Sequence, residues 1–138
     1  MRIKLNKDDK FELNISRANL KRGDLSGLNL TQADFAFAQL KHANLTGTIL
    51  FKSLGGNANL EKARLSKANL GEARLQKAQL NDAYLHDCNL VAADLKNTDL
   101  RNAEFQRSTM QSAHFEGANI VGAKFEQANI NDPIKYMF

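Results

Sequence analysis

The chain has 138 residues, with 19 Lys and Arg against 15 Asp and Glu and a single cysteine. Its mean hydropathy is −0.45 and no apolar run approaches the roughly 18 residues of a membrane helix, so no membrane span is expected. One cysteine excludes an internal disulfide framework, and the length predicts a single domain over 1–138.

Residues 1–13 come first. Ile3 and Leu5 alternate with polar residues, as do Phe11, Leu13 and Ile15, and Lys7-Asp8-Asp9-Lys10 reads as a turn between them. The segment lacks the apolar region of a signal peptide, so a cytoplasmic location is expected. Residues 1–22 carry seven basic and three acidic side chains, whereas residues 23–138 carry twelve of each. The entry end is basic and the body is neutral.

From Ile15 to Ile130 a large apolar residue falls on every fifth position. Of these 24 positions, 23 are Leu, Phe, Ile or Met, and only Gly55 departs. Two places earlier stands a small residue in 22 of 24 cases, Leu13 and Leu28 being the exceptions. Five residues advance a helix by about 140° net, which scatters the leucines around it. A continuous strand fails as well, because an odd period sends alternate leucines to opposite faces. The unit must therefore turn a corner. The small and large residues, two apart, point inward from a short extended segment; the residue between them points out, and the other two make the bend. Stacked bends build a solenoid with a continuous core. Such a rod has open strand edges at its ends, and residues 1–13 are expected to cap one of them.

Residues 48–57, TILFKSLGGN, disturb the pattern. Ile49 and Leu54 hold the outward slot, Phe51 fills a bend position, and Gly55 replaces the central leucine. Two readings follow. Either a local bulge turns Leu54 inward in place of residue 55, using the backbone freedom of glycine, or Ile49, Phe51 and Leu54, with Phe37, form an exposed apolar patch for a protein partner.

The last units carry Phe105, Met110, Phe115, Ile120, Phe125 and Ile130, bulk that suggests a wider or differently turned cross-section. Pro133 has no N–H for a ladder and should stop the repeats, which run over 14–132. Ile134, Tyr136, Met137 and Phe138 then form an apolar tail over 133–138. It either folds over the last coil as a lid or meets a second copy.

Residues able to do chemistry are dispersed. His42, His86 and His114 occupy outward or bend slots in separate units, and no Ser–His–Asp or Cys–His arrangement converges. Asp82, His86 and Asp87 lack metal-site spacing. Gly55-Gly56 is followed by no Lys-Ser/Thr of a phosphate loop. Cys88 stands in an inward small-residue slot and reads as a reduced core thiol. No catalytic, cofactor or metal site is expected, and the chain is read as a non-enzyme. Lys62, Arg64, Lys67, Arg74 and Lys77 are read as spread around the rod in a solvated ring. Nucleic acid is not expected as a partner, for want of a continuous basic stripe with aromatics.

The chain resembles the pentapeptide-repeat family, whose loose consensus is A(D/N)LXX. The resemblance rests on Ala-Asn-Leu at 18–20, 43–45, 58–60 and 68–70, Ala-Asp-Phe at 33–35, Ala-Asp-Leu at 93–95, and Ala-Asn-Ile at 118–120 and 128–130. It implies an all-β fold, a right-handed quadrilateral β-helix with four pentapeptides per coil and about six coils. Coils spaced like neighbouring strands, ~4.8 Å apart, would make a rod about 29 Å long. It further implies a non-enzymatic interaction, scaffolding or regulatory module that presents a rigid surface to a protein partner, and a homodimer through the C-terminal ends, as in some relatives. Two other roles known in the family are weighed. Mimicry of duplex DNA, which protects type II topoisomerases such as gyrase, needs strong negative charge, yet the outward slot, where the family consensus sets Asp or Asn, holds nine Asn and only four Asp, Asp24, Asp34, Asp94 and Asp99. A bacterial effector or anchoring role would want a secretion or lipid signal, and none is visible.

Overall fold

The computed structural model describes residues 13–130. The cap expected before Leu13 and the tail at 133–138, with Tyr136, Met137 and Phe138, lie outside the described residues, as does the dimer contact built on that tail. Within 13–130 every backbone bridge is parallel and joins residue i to residue i+20, from Asn14–Asp34 to Thr109–Asn129. Twenty residues therefore close one coil, four pentapeptides to a turn of a right-handed quadrilateral β-helix. The outward residues stack into four sides. The first side carries Asn14, Asp34, Leu54, Arg74, Asp94 and His114, and the second Asn19, Gln39, Asn59, Gln79, Asp99 and Asn119. The third carries Asp24, Asn44, Arg64, Tyr84, Glu104 and Lys124, and the fourth Asn29, Ile49, Asn69, Asn89, Thr109 and Asn129.

One unit shows how the backbone is satisfied. The N–H groups of Arg64, Leu65 and Lys67 donate to Ala43, Tyr84 and His86 carbonyls in the coils below and above, at 2.9, 2.7 and 2.9 Å. The Ala68 N–H closes the corner on Leu65 O at 2.9 Å. The fifth N–H, at the first corner residue, is left over, and a buried or half-buried N–H needs an acceptor. An Asn or Asp in the outward slot supplies it. Oδ1 of Asp34, Asn69 and Asn89 accepts from the N–H two residues on, in Ala36, Gly71 and Val91, at 2.9–3.0 Å. The Asx preference at this slot is thus a cap on the corner.

The second corner residue has a positive φ at every fifth position from Arg17 to Gln127. A left-handed L-residue costs about 1–2 kcal/mol, so each corner is held by the ladder bonds around it. At Gly117 and Gly122 (both φ +73°) a Cβ would also press on Oδ1 of Asn97 or Asn102 in the coil below, and that amide would have to turn aside.

The core is the stack of inward residues. Leu65, Leu75, Leu80, Leu85 and Leu90 are fully buried, as are the alanines beside them. Polar atoms in small slots bond to backbone one coil away: Thr48 Oγ1 and Cys88 Sγ donate to Leu25 O and Leu65 O, each at 2.9 Å. Burial pushes the Cys88 thiol up to about 12, so it is an inert core group.

Two expectations are corrected. There is no bulge at 48–57: Leu54 stays in the outward slot, bridged to Asp34 and Arg74, and the Gly55 N–H keeps its ladder bond to Arg74 O at 2.7 Å. Gly55 answers a packing demand. Phe35, one coil below, fills the core space; a Cβ on Gly55 would overlap its ring and lie 2.7 Å from Leu75 Cδ2. The coil also does not turn differently at the end, where each turn keeps its twenty residues. The i, i+20 register runs to Asn129, and the added bulk stacks along the axis, with the Phe105 and Phe125 rings 5.1 Å apart and 1° from parallel.

Candidate interaction surfaces

The period of 20 places each surface residue over the one a coil earlier, and the charged residues use this. Lys41 meets Glu61 at 2.8 Å, Lys52 meets Glu72 at 3.5 Å, and Lys124 meets Glu104 at 2.9 Å. Arg107 forks onto Asp87 at 2.8 and 2.9 Å. Within one corner Arg101 forks onto Asp99, and His86 Nε2 lies 2.8 Å from the second oxygen of Glu104. No group of three His, Cys, Asp or Glu able to hold a metal occurs among the described residues.

These pairs make the rod sensitive to acid. The hydrogen bond from Lys41 holds Glu61 below its ordinary 4.5, the one from Lys124 does the same for Glu104, and Arg107 holds Asp87 below 3.8. A carboxyl with a depressed folded pKa stabilises the fold above its unfolded pKa, and that contribution is lost as pH falls through the folded value. The melting temperature followed by circular dichroism is therefore expected to be flat from pH 7 down to about 5 and to fall between about 4 and 2. A melting temperature unchanged at pH 2 would mean that the ion pairs contribute nothing.

The apolar residues singled out at 48–57 are brought together around one corner. Ile49 stands on the fourth side, 38 % exposed; Phe51 is half-buried at the corner between the fourth and first sides; and Leu54 is half-buried on the first side. Leu54 floors a shallow groove with Gln32, Lys52, Glu72 and Arg74 as its walls. Phe51 has room because Gly71, in the coil above, carries no side chain: a Cβ there would come 3.2 Å from the ring. Lys52 Nζ sits 5.1 Å from the centre of the same ring. Phe37, 45 % exposed, lies one coil lower at the far corner of the first side, with the Arg17 guanidinium 4.6 Å over its ring. Sequence reading missed Tyr84, 44 % exposed on the third side and stacked on His86 at 6.4 Å. The signal was an aromatic ring in a slot where the period sets mostly amides and charges.

A family model described as a pentapeptide repeat region matches residues 58–133, and one described as pentapeptide repeats (8 copies) matches 14–50. No curated protein matches the chain. Among solved structures the chain is similar to HetL, described as a pentapeptide repeat protein involved in heterocyst differentiation regulation from the cyanobacterium Nostoc sp. strain PCC 7120. Identity is 29 % over 86 % of this chain and 60 % of that one, with a TM-score of 0.33. A second pentapeptide repeat protein from the same cyanobacterium, alr5209, is 30 % identical over 82 % of this chain and 84 % of its own, with a TM-score of 0.38. A trypsin-treated form of QnrB1, described as a plasmid-mediated fluoroquinolone resistance protein, is 16 % identical over 78 % of this chain and 64 % of that one, with a TM-score of 0.52. The chain thus spans less than two thirds of the length of HetL and of QnrB1.

Proposed function

The chain belongs to the pentapeptide-repeat family, and from that premise we propose that it is a non-enzymatic interaction module of the cytoplasm, a rigid rod that docks a protein partner against the corner formed by Ile49, Phe51 and Leu54. One observation carries this reading: Ile49, Phe51 and Leu54 wrap a single corner, whereas the other exposed apolar side chains, such as Val121, stand apart from one another along the rod. Exposed apolar area concentrated at one place on a polar surface is what a protein contact uses at its centre. The polar walls of Lys52, Glu72 and Arg74 would form the rim. The alternative of phosphate mimicry finds little support in the surface. Of the acids it would need, Glu61, Asp87, Asp99 and Glu104 are neutralised by cations at 2.6–2.9 Å.

The test is affinity capture from the native host with the wild-type chain, with Ile49→Lys/Leu54→Lys, and with Val121→Lys. Val121 is exposed at a different corner and serves as control. A partner is expected to be held by the wild type and the control and lost by the double variant. Identical recovery with all three would remove this corner from the function.

A further inference from the structure

Stacking does to the cations what the linear sequence does not reveal. Residues 14–78 carry ten Lys and Arg against four Asp and Glu, whereas residues 79–130 carry four against seven. The two halves of the rod differ in sign. Within the positive half, Lys52, Arg74, Asp34 and Glu72 on the fourth and first sides cancel, so the whole excess lies on the second and third sides and their corners. At the corner between those two sides, three successive coils place Lys21 and Arg22, then Lys41, then Lys62, in a line along the axis. Arg64 stands beside this line on the third side, and Lys67 follows it at the next corner. Among the described residues Lys21, Arg22, Arg64 and Lys67 have no carboxylate within ion-pair distance; Glu61 lies between Lys41 and Lys62, Asp24 shares the third side with Arg64, and Asp82 follows Lys62 one coil above. Three coils at the strand spacing of ~4.8 Å set these charges within roughly 10–15 Å.

The two exposed large aromatics among the described residues flank this line on either side. Tyr84 is bridged directly above Arg64, and Phe37 sits at the lower edge of the second side. Between them the second side offers Asn19, Asn59 and Gln79. The side-chain carbonyls of Asn19 and Asn59 cap corners, while the amide NH2 groups of all three donate to nothing among the described residues. Cations in a line, free amide donors and aromatic faces at either end make a surface on which a flexible polyanion with flat rings can lie. We propose that this side of the rod, diagonally opposite the apolar corner, binds single-stranded nucleic acid. Phosphates would follow the line from Arg22 to Lys62 and Arg64, and a base would stack on Tyr84. A duplex suits it less well, since its bases are already stacked and leave the aromatics unused. An acidic protein segment would use the cations and likewise leave the rings idle. The proposal is independent of the protein contact proposed above, which uses other residues.

The test is fluorescence anisotropy with labelled oligo-dT and oligo-U of about 20 nucleotides, and with polyglutamate, at about 50 mM and 200 mM salt. Both oligonucleotides are expected to bind, with log K falling on log salt at about −0.7 per phosphate neutralised. Arg22→Glu/Arg64→Glu should weaken binding more than about tenfold, while Arg107→Glu, at the corner between the third and fourth sides in the negative half, stays near wild type. Tyr84→Ala should weaken oligonucleotide binding about fivefold or more and leave polyglutamate unchanged. All four positions are exposed, and circular dichroism of each variant checks that the fold is kept. The proposal fails if neither oligonucleotide binds at low salt, or if Arg107→Glu costs as much as the double variant. It fails too if polyglutamate binds as tightly as oligo-dT and Tyr84→Ala changes nothing, in which case the surface takes an acidic protein.

Discussion

Ala68→Arg is expected to abolish the cooperative fold. Ala68 is 1 % exposed, in an inward column between Thr48 and Cys88 whose polar atoms already use the nearby carbonyls. A guanidinium placed there meets leucines on every coil and no carboxylate. Its desolvation is uncompensated, and the coils above and below must part to admit it. Leu80→Ala supplies the scale. Leu80 is fully buried, and truncating it should cost about 2–5 kcal/mol, spread by however far the neighbouring coils relax. Ala68→Arg should exceed that and approach the whole stability of a domain this size, roughly 5–15 kcal/mol. Because each coil touches only its neighbours, a lesion in the middle splits the stack into two short pieces, each lacking the partner that covered its end. Denaturant melts followed by circular dichroism should show a lowered midpoint for Leu80→Ala and no native baseline for Ala68→Arg. A native-like transition in Ala68→Arg would mean that the small-residue slot does not point into the core.

The period alone carried the fold a long way. Sterics of helix and strand excluded both regular structures, and the alternation of a small residue with a large one set the inward face correctly for Leu65 through Leu100. Four units per coil did not follow from five-residue spacing; it needs the bridge from Asn14 to Asp34, a contact 20 residues apart that no local pattern encodes. The same blindness explains what was missed on the surface. Lys62, Arg64, Lys67, Arg74 and Lys77, neighbours in sequence, do spread around the rod as read, whereas Lys21, Arg22, Lys41 and Lys62 are scattered in sequence and collinear in space, a line that no count along the chain brings out. The alternation showed that Asn and Asp in the outward slot point outward and left open what they bond; their acceptors are occupied by the corner N–H groups. The patch at Ile49, Phe51 and Leu54 was legible because it lies on contiguous residues, and contiguous residues wrap one corner. The bulge reading at Gly55, one of the two left open, came from reasoning within one coil when the cause, Phe35, sits in the coil beneath.

That cause makes a sharp test, since consensus reasoning and packing disagree in sign. If residue 55 is a gap in the leucine stack, Gly55→Leu should fill it and stabilise by about 1.5–3 kcal/mol. The structure says the space is already taken. The first Cβ atom would overlap the Phe35 ring and press on Leu75 from the other side, and three further carbons would have to follow. Phe35 is itself 2 % exposed, with no room to turn away. Gly55→Leu is therefore expected to destabilise by about 1–3 kcal/mol or more, the usual cost of overpacking. Phe35→Leu alone empties volume that Gly55 cannot fill and should also destabilise, by roughly 1–2 kcal/mol on the scale of large-to-small changes. Together the two substitutions restore the leucine-over-leucine stacking seen at Leu75 and Leu95. The double variant should recover most of the wild-type stability, with a coupling of about 0.5–3 kcal/mol in favour of the pair. Melts of the four proteins decide it. Simple additivity of the single losses, or a stabilised Gly55→Leu, would mean that Phe35 does not occupy the space above it and that glycine stands at 55 for its backbone alone.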